Sequence, residues 1–148
     1  MIANKIDQEI KSAMLAKDQV RLRGLRAIKA AILLARTEKG SAEALTEETE
    51  LRILQKLIKQ RKESADIYKQ QGRADLSAIE EEEIGVINDY LPVQMGRAEI
   101  EAAIAVIVKN SGASSIKDMG KVMGLANKEL AGKAEGKLIA EVVRALLA

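Results

Sequence analysis

Apolar residues recur along the chain at the spacing of a helix face, beginning with Ile2, Ile6, Ile10 and Met14, each four positions from the last. Asp18 is placed to cap a second helix running toward Gly40, with Val20, Gly24, Ala27, Ile28, Ala31, Ile32 and Ala35 on one side. The small residues of that face allow close approach of another helix. Thr46, followed by Glu47, Glu48 and Glu50, opens a third helix with carboxylates at the positive end of its dipole, and Gly72 closes it. Asp75 is the expected cap of a fourth helix carrying Leu76, Ile79, Ile87 and Leu91. Pro92 restricts the residue before it, so Leu91 is its expected end.

Beyond Pro92 the pattern changes, because six of the ten glycines lie there and the apolar runs shorten. Three helices are expected, near 97–109, 115–130 and 135–147, carried by Ile100, Ile104 and Val108, by Val122 and Met123, and by Leu138, Val142 and Leu146. No strand pattern competes with them. The expectation is therefore an all-α chain with an N-terminal unit of about four helices, residues 1–91, and a small three-helix module, residues 92–148.

Composition narrows the chemistry. The chain of 148 residues contains no His and no Cys, which excludes a Ser-His-Asp triad, a cysteine nucleophile, a disulfide and the usual zinc ligand sets. With no Phe, no Trp and two Tyr, it has no aromatic platform on which bases of single-stranded nucleic acid could stack. No apolar run approaches membrane-spanning length. The first residues, MIANKIDQEIKSAM, alternate charged and apolar positions rather than forming a signal peptide, so a cytoplasmic location is expected. Ser64, Ser111, Ser114, Ser115 and Thr46 stand beside no evident base and read as caps and turns. No residue points to a cofactor or metal.

The formal net charge is only +2, but the charges are segregated. Asp75, Glu80, Glu81, Glu82, Glu83 and Asp89 fall in a stretch without Lys or Arg, whereas Lys109, Lys117, Lys121, Lys128, Lys133 and Lys137 face only Asp118, Glu129 and Glu135. Lysines are a solvated surface by default. Here three of them follow or adjoin glycine, as Gly120-Lys121, Gly132-Lys133 and Gly136-Lys137, and a backbone without Cβ can approach a phosphate closely at a helix start. No Ser or Thr follows those lysines, so they are not a Walker loop, and nucleotide hydrolysis is not expected. In the third helix, advancing 100° per residue puts Arg61 amid Leu51, Leu54, Leu57, Ile58, Ala65 and Tyr68, where a guanidinium requires a partner. Glu83, with Glu80 near it, occupies the apolar arc of the fourth helix. A structural ion pair of Arg61 with Glu83 or Glu80 is favoured over a carboxylate metal pair, since a di-metal bundle adds His and further inward Glu.

The segments Gln60-Arg61-Lys62-Glu63-Ser64-Ala65, Gly72-Arg73-Ala74-Asp75-Leu76 and Tyr90-Leu91-Pro92, with Glu80 and Glu83, resemble the GatB/YqeY family. Asp118-Met119-Gly120-Lys121-Val122-Met123-Gly124 and Gly132-Lys133-Ala134-Glu135-Gly136-Lys137 resemble the signature shared with the tail of the B subunit of tRNA-dependent amidotransferases. The resemblance runs essentially end to end.

What it implies is an all-helical fold of two parts whose second part is similar to an arm that grips tRNA. The transamidation chemistry of the amidotransferase lies in the kinase-like body of that subunit and in a separate amidase, both absent from this chain. The family label, a carbon–nitrogen ligase with glutamine as amide donor, therefore implies relatives with that activity rather than an enzyme in this polypeptide alone. Carried over position by position, the RNA-facing residues are Gly120, Lys121, Gly132, Lys133 and Lys137, with Lys128 and Gly136 in the same basic stretch. The leading expectation is a non-catalytic accessory protein of translation that binds tRNA or another structured RNA. The competing one is an adaptor that docks an amidotransferase or an aminoacyl-tRNA synthetase, through the acidic helix from Asp75 to Tyr90 or the small-residue face, and binds no RNA.

Overall fold

The computed structural model describes residues 1–38 and 45–148, so the expected approach of the second helix to Gly40 lies outside the described residues. Among the described residues all regular structure is helical, and none of the helices is long and apolar enough to cross a membrane. The chain divides into two compact units, Met1–Leu91 and Pro92–Ala148.

The first unit contains α1 (Ile2–Leu15), α2 (Gln19–Glu38), α3 (Glu47–Gln70) and α4 (Ala74–Asn88). Its core is aliphatic, built on Ile2 and Ile6, Leu22, Leu25, Ile28 and Ile32, Leu54 and Ile58, and Val86 and Ile87. Three positions leave the faces assigned to them. Met14 is exposed and Ala13 is buried in its place, Val20 is exposed and Leu22 and Leu25 take the core face of α2, and Ile79 of α4 is exposed while Ser77 is buried. A strict four-residue step drifts 40° per turn, which carries the fourth member of such a row off the buried stripe.

The corners follow from backbone chemistry. Asp18 Oδ1 accepts from the Arg21 amide at 3.1 Å, and Thr46 Oγ1 from the Thr49 amide at 3.1 Å, each capping its helix. At the end of α3 the Arg73 amide reaches back to Tyr68 O and the Gly72 amide to Lys69 O, with Gly72 left-handed at φ +72°. The end of α1 makes the same pair of bonds, from Asp18 to Ala13 O and from Lys17 to Met14 O. There Lys17 holds the left-handed position at φ +55°, at a cost of about 1 kcal/mol relative to Gly. Asp75 is not the cap of α4. The cap is Arg73, and Asp75 lies inside the first turn, its carboxylate accepting from the Arg73 guanidinium at 3.0 and 3.1 Å. Helix α4 ends at Asn88 rather than Leu91, and Tyr90 and Leu91 continue as turns bonded to Ile87 O and Asn88 O.

In the second unit, α5 (Arg97–Ser111), α6 (Met119–Glu129) and α7 (Gly136–Leu147) bury Ile100, Ile104, Val122, Ala126, Ile139, Val142 and Val143 together. The helix expected over 115–130 is divided: Ile116–Asp118 form a 3-10 turn that leads into α6. Ser115 and Asp118 impose it through a reciprocal capping box, Ser115 Oγ accepting from the Lys117 amide at 3.4 Å while Asp118 Oδ2 takes the Ser114 and Ser115 amides. Those two amides hold the Asp118 carboxyl below its ordinary range.

Candidate nucleic-acid interface

The glycine–lysine positions fall on two adjoining pieces of the second unit, α6 and the turn that leads into α7. Helix α6 buries Val122 and Ala126 and leaves Gly120, Lys121, Gly124, Leu125 and Lys128 exposed. Lys121 and Lys128, seven residues apart, share a face and stand about 10 Å apart along the axis. Lys121 is already engaged: its Nζ donates to Ser111 O at 3.0 Å, closing a carbonyl at the end of α5. A cation there also complements the negative end of the α5 dipole.

In the turn, Gly132 is buried and left-handed at φ +74°, whereas Lys133 is exposed. The Lys133 amide donates to Leu130 O at 3.0 Å. Helix α7 then starts at Gly136, and its N-cap residue, Glu135, makes no side-chain bond to the amides of the first turn. Lys137, in that turn, is exposed. The site residues are therefore unequal: Gly132 shapes the turn from inside, and Lys121, Lys128, Lys133, Gly136 and Lys137 are on the surface.

Glycine is not demanded by packing at Gly120, Gly124 or Gly136, since a Cβ built at each would meet nothing within 4 Å. Gly124 inside α6 costs about 1 kcal/mol against Ala. Among the described residues, Lys109, Lys117, Lys128, Lys133 and Lys137 meet no carboxylate, while Arg97 pairs with Glu101 at 3.0 Å and Glu141 at 3.8 Å. The unit thus exposes unneutralised ammonium groups, of which Lys133 and Lys137 flank the uncapped start of α7, a chemistry suited to phosphate.

The acidic helix of the first unit differs. Glu81 pairs with Lys69 at 2.6 Å, Glu82 with Arg23 at 2.6 Å and Glu83 with Arg61 at 2.9 Å. With Asp75 on Arg73, four of its carboxylates are neutralised within the unit. Arg61 and Glu83 are each only 18% exposed, and Arg61 also donates to Leu57 O at 3.3 Å. Among the described residues the Glu80 side chain meets no hydrogen-bond or ion-pair partner, so the structure brings Arg61 and Glu83 together and leaves Glu80 apart.

Two polar clusters were not read from the sequence. Glu50, assigned above only to the first turn of its own helix, is fully buried and accepts from the amides of Ile2 at 3.2 Å and Ala3 at 2.6 Å. It caps α1, whose own N-cap makes no side-chain bond. The signal was present, because Glu50, Leu54 and Ile58 step by four along one face, the same arithmetic that singles out Arg61. The other cluster joins Arg21 to Glu9, with the Tyr90 hydroxyl 3.2 Å from Arg21 and 3.3 Å from Glu9. Burial, above all, pushes the Tyr90 phenol upward, against the opposing charge of Arg21. Residues 69 and 81 positions apart in sequence meet there, and no local pattern signals such a contact.

A family model described as Yqey-like protein matches residues 3–147. No curated protein matches the chain.

Proposed function

The chain belongs to the Yqey-like protein family, and from that premise we propose that it is a non-catalytic RNA-binding accessory protein, tRNA being the leading candidate ligand. The reading is carried by one observation. Lys128, Lys133 and Lys137 are exposed and meet no carboxylate among the described residues, and the start of α7 at Gly136 carries no side-chain cap. Phosphates are the complementary ligand, and backbone shape rather than base identity selects it, since the chain carries no aromatic readout. Gly120 and Gly136 allow the ligand backbone to come close, and Gly132 fixes the turn that presents Lys133. The docking of an amidotransferase or synthetase by the acidic helix is the weaker reading, because Glu81, Glu82 and Glu83 already have partners.

The test is a salt titration of binding to tRNA. If about four lysines contact phosphates, log affinity falls against log salt with a slope of roughly −3 to −4. The variant of choice replaces Lys128, Lys133 and Lys137 by Ala. Lys121 is kept, since its bond to Ser111 O gives it a structural role. The triple variant should retain its helix content and flatten the slope to about −1. Absence of wild-type binding at low salt would reject the proposal.

A further inference from the structure

The chain enters the second unit through Pro92, Val93, Gln94 and Met95, a segment without helix before Gly96 caps α5. Val93 is 94% exposed, yet the next two residues are fixed. The Gln94 side-chain amide donates to Gly132 O at 2.7 Å and to Pro92 O at 2.9 Å. The Met95 backbone amide donates to Lys133 O at 2.8 Å. Two successive residues of the entering segment thus take two successive carbonyls of the turn that carries Lys133, from 38 positions away in sequence.

These bonds have two physical consequences. The first is geometric: Gly132 is left-handed and its neighbours Leu130 and Ala134 are buried, so anchoring both carbonyls leaves the turn one orientation. The second is electrostatic. A free carbonyl oxygen beside a phosphate-binding lysine repels the phosphate, and a donor that occupies the oxygen removes much of that repulsion.

We propose that Gln94 is a positioning residue for the candidate RNA site: it touches no ligand, but orients the Gly132-Lys133 turn and masks its carbonyl so that Lys133 can meet a phosphate. Its functional consequence rests on the RNA-binding reading above. Gln94→Ala removes the clasp with little loss of buried surface, because the residue is exposed. Gln94→Glu has the larger effect, replacing the donor with a carboxylate beside the Gly132 carbonyl and near Lys133.

The experiment pairs an RNA-free and an RNA-dependent measurement on the full chain. Amide exchange by nuclear magnetic resonance follows Met95 and Lys133, whose amides are bonded to Lys133 O and Leu130 O. In Gln94→Ala these two should exchange at least tenfold faster while the core amides of α5 to α7 are unchanged. Binding of tRNA at fixed salt should weaken about three- to tenfold, more in Gln94→Glu, and the salt slope should fall by about one phosphate contact. In a Lys133→Ala background, Gln94→Ala should have no further effect on the slope, which a general loss of stability would not reproduce. Unchanged exchange at Met95 and Lys133 overturns the clasp whatever RNA does. Faster exchange with wild-type affinity and slope overturns the positioning role and leaves the RNA reading intact. A wild-type chain that binds no tRNA rejects the RNA reading and the positioning role with it, while the exchange rates still decide whether the clasp exists.

Discussion

Glu50 is the most consequential carboxylate of the first unit, and removing it has a calculable effect. Its two oxygens accept from consecutive amides, Ile2 N and Ala3 N, in a site with no solvent exposure. Glu50→Ala deletes both acceptors, and a buried donor left unpaired costs about 1–3 kcal/mol. It also removes a negative charge from the positive end of α1, worth up to ~2 kcal/mol in a partly buried setting. Relief from burying a carboxylate offsets part of this. The balance is a destabilisation of about 2–5 kcal/mol, a large share of the 5–15 kcal/mol typical of a domain. Glu50→Gln should fall between wild type and Glu50→Ala, because its carboxamide oxygen can serve one amide while its NH2 opposes the other. Urea unfolding monitored by circular dichroism supplies the free energy. Amide exchange localises it: α1 should lose protection before the α3–α4 hairpin does. Stability within about 0.5 kcal/mol of wild type for Glu50→Ala, with α1 still protected, would refute this reasoning.

Three further outcomes are expected. Glu83→Gln should destabilise by roughly 1–3 kcal/mol, since it leaves the Arg61 guanidinium short of charge in a site 18% exposed, while the unpartnered Glu80→Gln stays near neutral; equal melting temperatures for the two variants would contradict this. Gly24→Ala should cost about 1–3 kcal/mol in denaturant unfolding despite the better helix propensity of Ala, because the new Cβ would lie 2.6 Å from both Cβ and Cγ1 of Val86. Adding Val86→Ala should rescue only part of it, since the Cβ of residue 86 is itself in the clash. For Asp118 the two backbone donors hold the folded carboxyl below its ordinary value of 3.8, so its contribution is present above that value and is lost as pH falls through the lower folded one. The stability gap between wild type and Asp118→Asn, measured by urea unfolding at pH 5 and again below pH 3.8, should therefore narrow in acid.

The helices were legible because their periodicity is a local property, and so were the caps at Asp18 and Thr46, where the accepting oxygen and the donating amide lie three residues apart. Asp75 shows where local reading stops. It has the chemistry of a cap, but the neighbouring Arg73 guanidinium claims its carboxylate, and the helix begins two residues earlier than a cap at Asp75 would give. The division of 115–130 into a 3-10 turn and a helix was hidden for a related reason, since a capping box sets the first turn without altering the apolar period on either side. Long-range polar contacts were legible only where burial made them necessary. Arg61 stands on an apolar arc and therefore requires an anion, and Glu50 follows the same logic, although the acidic first turn around it offered a sufficient explanation that concealed the second. The Gln94 clasp leaves no such trace. A glutamine in an exposed segment breaks no rule of pattern or burial, and its role emerges only when Gly132 O, 38 residues later, is found 2.7 Å from its amide. The same separation of local from distant causes runs through the candidate interface. Charge and glycine content marked the surface, but which lysines are available depends on contacts beyond the local sequence. Lys121 is held by a carbonyl of α5, whereas Lys128, Lys133 and Lys137 are not, so the RNA-binding proposal rests on these three lysines rather than on the Gly120-Lys121 pair.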